Sequence, residues 1–283
     1  MRRPALKVLA TGPLTTIQDL GRVRQSAMGV PMSGAADRES LRLANALVGN
    51  IESAAALEVT FGGLVIQAQR DVLIAVTGAR CPGVVHNVPT RVPAGTTLRF
   101  GMPETGLRTY VAVRGGIDVP PVLGSRSTDL LSGLGPAPLA ADVELPVGQE
   151  SGRMPGVDLA AVRDLPIGVV DVRVGPGPRR DWFTDESWTL FLTQEYVTTA
   201  ESNRVGARVE GRPLERTREG ELASEGMLRG AVQVPPSGQP VVFLADHPVT
   251  GGYPVIAYVD EEDGDRCAQL RPGQPVRFHP RAD

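Results

Sequence analysis

The chain has 283 residues, of which 41% are hydrophobic and 22% are charged, an ordinary balance for a globular protein. Its formal net charge of -3 disfavours a nucleic-acid partner, because such partners usually bind a basic surface. No apolar run is long enough for a membrane-spanning helix, so we expect a cytoplasmic protein with one large or two modest domains.

Short segments typical of β-strands recur through the first half of the chain, each bounded by turn residues. No long helices alternate with them, which disfavours a doubly wound α/β sheet. The sequence therefore predicts a mainly β fold, closed into a barrel or packed as a sandwich, with one inserted helix. The predicted strands of this half are Leu6–Leu9, Leu57–Phe61, Leu64–Gln67, Val72–Val76, Thr97–Phe100 and Thr109–Val113.

The densest group of specific polar residues follows the first of these strands. Gln18, Asp19 and Arg22 lie in a loop that is interrupted by glycine. The segment Ser33-Gly34-Ala35-Ala36-Asp37 comes shortly afterwards and opens the inserted helix. We expect these two segments to contribute side chains to a binding site, since loops on a rigid scaffold commonly carry function.

The inserted helix is predicted over Asp37–Val48. Ser33 or Asp37 is expected to cap its start, and Gly49-Asn50 is expected to end it. Backbone N–H groups at a helix start attract anions, so the preceding loop is either an anion seat or an ordinary cap that binds nothing. The apolar residues of the helix recur three, four and seven positions apart on one face: Leu41, Ala44, Leu47 and Val48.

A second polar turn, Gly124-Ser125-Arg126-Ser127-Thr128-Asp129, follows the strand at Thr109–Val113 and a glycine turn. Arg126 lies between two serines, an arrangement that can hold a carboxylate or a phosphate through charge-assisted hydrogen bonds. The alternative is a turn whose hydroxyl groups bond to the local backbone. Both interpretations stay open on the sequence alone.

The stretch from Pro136 to Pro166 is rich in Pro, Gly and Ala and has no sustained period, so we predict a connector there. The predicted domains are residues 1–160, a β-rich domain, and residues 161–283, a second β domain. In the second, Asp181–Leu192 is predicted to form a short helix whose aromatic residues lie in the core.

The sharpest polar segment of the second half follows a predicted buried strand, Val241–Ala245. A hydrophobic strand that ends in a polar, glycine-rich loop commonly presents site residues. Arg204, in an earlier turn, is either a further anion-binding residue or a surface ion pair. We expect two sets of site residues in the loop: the catalytic residues Asp246, His247 and Tyr253, and the substrate-binding residues Thr250, Gly251 and Gly252.

Several cofactor sites have no support in the sequence. Lys7 is the only lysine among 29 basic residues, so the chain has neither a GxxxxGK[ST] phosphate loop nor a biotin-accepting lysine. Cys81 and Cys267 lie far apart and have no histidine at zinc spacing, so no metal site is predicted. No Ser-His-Asp or Cys-His nucleophile arrangement is visible.

Several of these segments together resemble one known family. The marks are TIQDLGR at Thr16–Arg22, SGAAD at Ser33–Asp37, LEVTFGG at Leu57–Gly63 and LGSRST at Leu123–Thr128. With them the chain resembles the allophanate hydrolase subunit 2 group, which includes the C subunit of bacterial 5-oxoprolinase. This group is similar to half of the carboxyltransferase domain of urea amidolyase. Four positions depart from the usual residues of the family: Asn203, Val205, Pro248 and Val249.

The resemblance implies two related cyclophilin-like β-barrel domains with few short helices. It also implies a hydrolase subunit of an ATP-dependent 5-oxoprolinase, which opens the lactam ring of 5-oxoproline to give glutamate. The complex would handle the ATP, the partner would be a subunit-1-type protein resembling the B subunit of 5-oxoprolinase, and this chain alone would be inactive. The expected substrate-binding residues outside the C-terminal loop are Asp19, Arg22, Ser33, Gly34, Asp37, Arg126 and Arg204.

Two other functions are compatible with the same resemblance. One is a carboxyltransferase-type module that acts on a small amide such as urea, with biotin on a separate carrier chain. The other is a non-enzymatic protein that antagonises a kinase inhibitor by binding a partner. Neighbouring genes would discriminate among the three, because each function requires a different partner protein.

Overall fold

The computed structural model describes residues 4–218, 220 and 222–281. The chain divides into two compact units. The first unit comprises Met1–Val23 and Ser33–Leu165, and the second comprises Arg24–Met32 and Pro166–Asp283. The short segment assigned to the second unit contains one 3₁₀ turn, Ser26–Met28.

The first unit contains two antiparallel sheets and one helix. Its elements in chain order are β1 (Pro4–Thr11), β2 (Leu14–Gln18), α1 (Arg38–Leu47), β3 (Ala56–Thr60), β4 (Leu64–Ala68), β5 (Val72–Gly78), β6 (Thr90–Val92), β7 (Thr97–Arg99), β8 (Arg108–Val113) and β9 (Glu144–Pro146). Strands β2-β3-β8-β5-β6 form a five-stranded sheet in this order, and β7-β4-β1-β9 form a four-stranded sheet. The six strands predicted for this half are all present, with ends within two residues of the prediction.

The two sheets of the first unit share one apolar core. Side chains of a strand point alternately to opposite faces, so every second residue enters the core. Leu6 and Val8 of β1 are buried in the same cluster as Val111 and Val113 of β8. The first unit is therefore a β-sandwich. Strand β9 lies inside the predicted connector, where three residues are too few to show a period, so that part of the connector prediction is wrong.

Helix α1 packs on the outer face of the five-stranded sheet. Asp37 caps it, because its Oδ1 accepts a hydrogen bond of 2.9 Å from the backbone N–H of Ser40. The left-handed Gly49 follows its end, and the N–H of Asn50 donates to the carbonyl of Asn45 at 2.9 Å. The predicted helix, its cap by Asp37 and its end are confirmed. Its apolar face buries Leu41, Ala44, Leu47 and Val48 against Ala75, Tyr110 and Ala112.

The second unit is a closed barrel of seven strands. Its elements are β10 (Val170–Pro176), a 3₁₀ turn (Arg180–Trp182), α2 (Asp185–Thr193), β11 (Glu195–Thr198), β12 (Gly206–Glu210), β13 (Glu225–Gly226), β14 (Ala231–Gln233), β15 (Val241–Phe243), β16 (Thr250–Gly251), β17 (Val255–Val259), α3 (Glu261–Cys267) and β18 (Pro275–Pro280). The barrel order is β10-β17-β14-β15-β12-β11-β18, and a parallel pair, β10 and β18, closes it. Strands β13 and β16 form a separate ribbon.

Aromatic residues pack between α2 and the barrel strands β11 and β18. Phe191 stacks on Phe278 at 4.7 Å between ring centroids, and Tyr196 contacts Phe278 edge-on at 5.5 Å. The predicted helix is shorter than expected, because Thr184 caps a new start by accepting from the N–H of Ser187 at 3.0 Å. The prediction of a mainly β fold with few short helices is confirmed. None of the helices within the described residues is both long and apolar enough to cross a membrane.

Candidate functional site

Asp19, directly after β2, is the centre of a polar cluster in the first unit. Its Oδ1 accepts hydrogen bonds of 2.6 Å from both Ser125 Oγ and Ser127 Oγ and one of 2.8 Å from the N–H of Gly21. Its Oδ2 accepts from the N–H of Arg126 at 2.6 Å. Four donors therefore satisfy this buried carboxylate, and it fastens the 125–127 turn to the loop after β2.

The loop before α1 rests on the same cluster. The N–H of Ala35 donates to the carbonyl of Asp19 at 2.8 Å, and Ser33 Oγ donates to the carbonyl of Thr128 at 3.3 Å. Ser33 and Gly34 both have positive φ, 53° and 91°. A Cβ on Gly34 would lie 2.8 Å from the nitrogen of Gly21, so only glycine allows this approach. Three sequence marks, at 16–22, 33–37 and 123–128, thus meet in one place.

Arg22 is buried within this cluster, with 1% of its surface exposed. Its Nη2 donates to the carbonyl of Ser127 at 2.6 Å. Its Nε and Nη1 are buried and have no hydrogen-bond partner among the described residues. The neighbouring carboxylate of Asp19 is already occupied by its four donors. Arg22 is therefore a buried cation with unused donors, an arrangement that is costly unless an anion completes it.

Arg126 is placed differently from the sequence-based expectation. Its Nε donates to the carbonyl of Val119 at 2.7 Å, and its Nη2 pairs with Asp118 Oδ1 at 3.0 Å. Only its backbone N–H reaches Asp19. The guanidinium is thus used within the fold, which favours the turn interpretation. That Arg126 binds substrate stays a prediction.

The start of α1 is held by a buried network that the sequence reasoning missed. Glu58 Oε2 accepts from the hydroxyl of Tyr110 at 2.7 Å and from the N–H of Ala36 at 2.9 Å. The hydroxyl of Tyr110 accepts from the N–H of Asp37 at 2.8 Å. Burial, together with the charges of Glu58 and Asp37, raises the pKa of Tyr110 well above its usual value, so it stays protonated and donates.

This network changes the expectation of an anion seat before α1. The N–H groups of Ala36, Asp37 and Ser40 are occupied by Glu58, Tyr110 and the Asp37 carboxylate. These donors support the loop instead of facing a ligand. The available sequence signal was the glutamate inside the apolar strand Leu57–Phe61, because a charge on a covered sheet face requires a partner.

In the second unit, Arg204 and Asp246 form a buried ion pair. Their exposed fractions are 1% and 0%. Arg204 Nε donates to Asp246 Oδ2 and Nη2 donates to Oδ1, both at 2.9 Å, a bidentate arrangement. The backbone N–H of Asp246 also donates to the carbonyl of Arg204 at 2.9 Å. The surface ion pair considered for Arg204 is therefore wrong, because both groups lie in the interior.

The loop after Asp246 presents the other predicted residues. His247 Nδ1 lies 2.8 Å from the carbonyl oxygen of Pro248, and its ring stacks on Phe243 at 6.1 Å between ring centroids. Thr250–Gly251 forms strand β16 and pairs with β13. The carbonyl of Gly252 accepts from the N–H of Leu222 at 3.0 Å.

Tyr253 is the most available of the predicted catalytic side chains. Its carbonyl accepts from Gln233 Nε2 at 3.1 Å, and the guanidinium of Arg216 lies 6.0 Å from its ring centroid. Its hydroxyl makes no hydrogen bond within the part of the chain that the structure describes. The described residues contain no group of three or more His, Cys, Asp or Glu side chains that could hold a metal ion.

Comparisons with known proteins place the chain in a family. The model of the carboxyltransferase domain, subdomain A and B, matches residues 28–280. The chain is 41% identical to the C subunit of 5-oxoprolinase from Escherichia coli (strain K12), over 96% of this chain and 90% of that protein. It is 33% identical to the urea amidolyase of Lachancea kluyveri, over 98% of this chain but 17% of that protein.

Solved structures agree with this placement. The crystal structure of TTHA0988 superimposes with a TM-score of 0.88 at 37% identity and covers 98% of this chain. The chain spans little more than half of that structure, 56% of its length. The Kluyveromyces lactis urea carboxylase superimposes with a TM-score of 0.89 at 30% identity, over 100% of this chain and 28% of that protein. With its sequence marks, its fold and these matches in agreement, the chain belongs to the carboxyltransferase domain family, subdomains A and B.

Proposed function

We propose that this chain is a subunit of an ATP-dependent 5-oxoprolinase complex, which opens the lactam of 5-oxoproline to glutamate with a subunit-1-type partner. One observation carries the proposal: the 41% identity to the C subunit of a 5-oxoprolinase extends over nearly the whole of both chains. A second protein of this name, from Haemophilus influenzae, is 34% identical over 96% of this chain and 90% of its own length.

The chemistry of lactam opening fits the groups of this chain. A lactam carbonyl is a poor electrophile, and activation of its oxygen, for instance by phosphorylation, creates negative charge that donors in a dry site stabilise. His247 and Tyr253 are the proposed acid–base groups. The carboxylate of Asp246 is held by Arg204, so its proposed role is to position the loop that carries them.

ATP is assigned to the complex as a whole. The only lysine, Lys7, lies on β1 and pairs with Asp142 at 2.9 Å, so no phosphate-loop lysine is available on this chain. The same fact means that biotin, if the family chemistry uses it, is carried by another chain. We therefore propose that this chain is inactive alone.

Co-expression with a subunit-1-type protein tests the proposal. We expect the two chains to elute together and to release glutamate from 5-oxoproline only with ATP and only together. In that complex, Tyr253→Phe should lower kcat by at least tenfold without changing the melting temperature, since its hydroxyl makes no hydrogen bond in the described structure. Full turnover by this chain alone would contradict the subunit proposal.

The carboxyltransferase function is the second candidate. It is favoured by the superposition on urea carboxylase over the entire chain. The same purified pair, supplied with a carboxylated biotin carrier and urea, discriminates between the two functions. Consumption of carboxybiotin that depends on urea, with no glutamate released from 5-oxoproline, would favour this candidate over the first.

A further inference from the structure

Arg22 differs from the other buried arginines, because two of its nitrogens lack a hydrogen-bond partner and no carboxylate lies within ion-pair distance among the described residues. Arg204 meets a carboxylate in two hydrogen bonds, and Arg108 lies 3.6 Å from Glu58 Oε1. Arg22 has a single hydrogen bond, to the carbonyl of Ser127, and no carboxylate within ion-pair distance among the described residues. An arginine side chain does not lose its proton in a protein, so burial leaves it charged.

The free hydrogens of Arg22 still form a complete fork. Nη2 has two hydrogens, and the carbonyl of Ser127 takes one of them. The remaining hydrogen of Nη2 points parallel to either Nε–H or one Nη1–H, and Nε and Nη1 both lack partners among the described residues. Two parallel N–H groups match the two oxygens of a carboxylate or of a phosphate.

The surroundings keep this fork from being consumed internally. Asp19, the acidic residue three positions earlier, is saturated by Gly21, Ser125, Ser127 and Arg126, so it does not compete for the guanidinium. The next residue, Val23, is 61% exposed, so the loop that carries Arg22 runs at the surface of its unit. The fold therefore holds this side chain in place, and Asp19 does not neutralise its charge.

We propose that Arg22 is the oxyanion-binding group of this chain and takes the carboxylate or phosphate of a small ligand as a two-point contact. The identity of that ligand rests on the proposed function, where the sources are the carboxylate of 5-oxoproline and the phosphates of ATP. The buried cation becomes satisfied only when the oxyanion is bound, which gives the site its preference for charged over neutral lactams.

Calorimetric titration of the full chain tests this assignment with four probes. They are 5-oxoproline, 2-pyrrolidinone, ATP and inorganic phosphate. The first two share the lactam ring but only 5-oxoproline has a carboxylate. Binding of 5-oxoproline without binding of 2-pyrrolidinone identifies the carboxylate as the occupant, and binding of ATP or phosphate alone identifies a phosphate. Absence of binding by all three anions overturns the proposal.

Three variants assign the binding to the side chain. Arg22→Met removes the charge and should lower the affinity for the anion roughly 10- to 100-fold, the range expected for the loss of hydrogen bonds to a charged group. Arg22→Lys keeps the charge but lacks the two parallel N–H groups, so its affinity for the anion should lie between those of the wild type and Arg22→Met. It replaces the methionine variant in the test if that variant does not fold. Arg114→Gln is the matched control: that arginine is also in the first unit, but it is fully engaged by Glu150, Val48 and Gly152, so binding should be unchanged.

This test can fail independently of the proposed function, because it measures anion binding and not turnover. Anion binding that depends on Arg22 in a complex without 5-oxoprolinase activity would overturn the proposed function alone. Turnover and anion binding that persist in both Arg22 variants would overturn the inference alone.

Discussion

Two arginines, one in each unit, are buried to the same degree and used in opposite ways. Arg22 and Arg204 each expose 1% of their surface. Arg204 is held by both oxygens of Asp246, whereas Arg22 has one hydrogen bond and two buried nitrogens without a partner among the described residues. Burial alone therefore does not reveal what a charged residue does. The hydrogen-bond and ion-pair partners of the side chain distinguish the two residues.

The difference extends to the neighbouring carboxylates. Both carboxylate oxygens of Asp246 accept hydrogen bonds from Arg204, and the backbone N–H of Asp246 donates to the carbonyl of the same arginine. Asp19 instead accepts hydrogen bonds from hydroxyl and backbone N–H donors, and it does not pair with Arg22. The second unit thus has a closed ion pair, and the first has a satisfied anion beside an unsatisfied cation.

Breaking the closed pair should have the largest effect. Asp246→Ala leaves the charge of Arg204 buried without its carboxylate, and removing one partner of a buried pair costs about 3–5 kcal/mol. The free energy of unfolding, measured by urea denaturation, should fall by that amount. The double variant Arg204→Met with Asp246→Leu is the control and should recover most of the loss, because both charges are gone. A loss below about 1 kcal/mol for Asp246→Ala would show that the pair is hydrated, not buried.

This pair also shows where sequence reasoning ends. The strands, the helix and its Asp37 cap follow from local patterns that one segment contains. The predicted polar loops are real, and three of the family marks meet around Asp19. The partnership of Arg204 with Asp246 joins residues 42 positions apart, and no local pattern encodes it. That Asp246 is catalytic stays a prediction, now for a carboxylate that Arg204 holds in two hydrogen bonds.

Helix α3 was missed for a related reason. Its seven residues include Gly264 and no apolar stripe, so periodicity had nothing to detect. Its stability comes from contacts that are distant in sequence, such as Arg173 Nε with Asp263 Oδ2 at 2.8 Å. Short elements of this kind become visible only when the barrel strand beside them is in place.

Gly135 packs against Arg22 and against the carbonyl that accepts its hydrogen bond, so a substitution there should disturb the polar cluster. A Cβ on Gly135 would lie 2.0 Å from the carbonyl oxygen of Ser127, the acceptor of Arg22, and 2.7 Å from Arg22 Nη2. Gly135→Ala should therefore cost about 2–4 kcal/mol, from a left-handed backbone and a steric overlap together. Gly133→Ala is the control, since Gly133 is also left-handed but has open space around it. Equal losses in the two variants would mean that the close approach to Ser127 is absent in solution.

Breaking the network of Glu58, Tyr110 and Asp37 should have the next largest effect on the free energy of unfolding. Tyr110→Phe removes the hydroxyl that joins Glu58 to the N–H of Asp37, and we expect a loss of about 1–3 kcal/mol near pH 8. Tyr253→Phe, which removes a hydroxyl without a hydrogen bond among the described residues, should leave the free energy of unfolding unchanged. Equal stability of the two variants would argue against the network.

The same network predicts a pH dependence. Burial, with the charges of Glu58 and Asp37, raises the pKa of Tyr110 well above its usual value of about 10. The unfolded chain then loses this proton before the folded one, so the contribution of Tyr110 is complete below about pH 10 and is lost as the pH rises further. Above about pH 10, the free energy of unfolding should fall more steeply with pH for the wild type than for Tyr110→Phe.

The smallest effect on stability is expected for substitution of Arg22 itself, and it tests the contrast with Arg204 most directly. Arg22→Met loses one hydrogen bond, worth about 1 kcal/mol, but it also removes a buried charge that has no counter-ion in the described structure. In buffer free of carboxylate, phosphate and sulfate, its free energy of unfolding should equal or exceed that of the wild type to within about 1 kcal/mol. Arg204→Met leaves Asp246 unpaired and should lose about 3–5 kcal/mol under the same conditions. If both methionine variants lose the same amount, Arg22 has found a partner within the protein in solution, and the contrast between the two arginines is wrong.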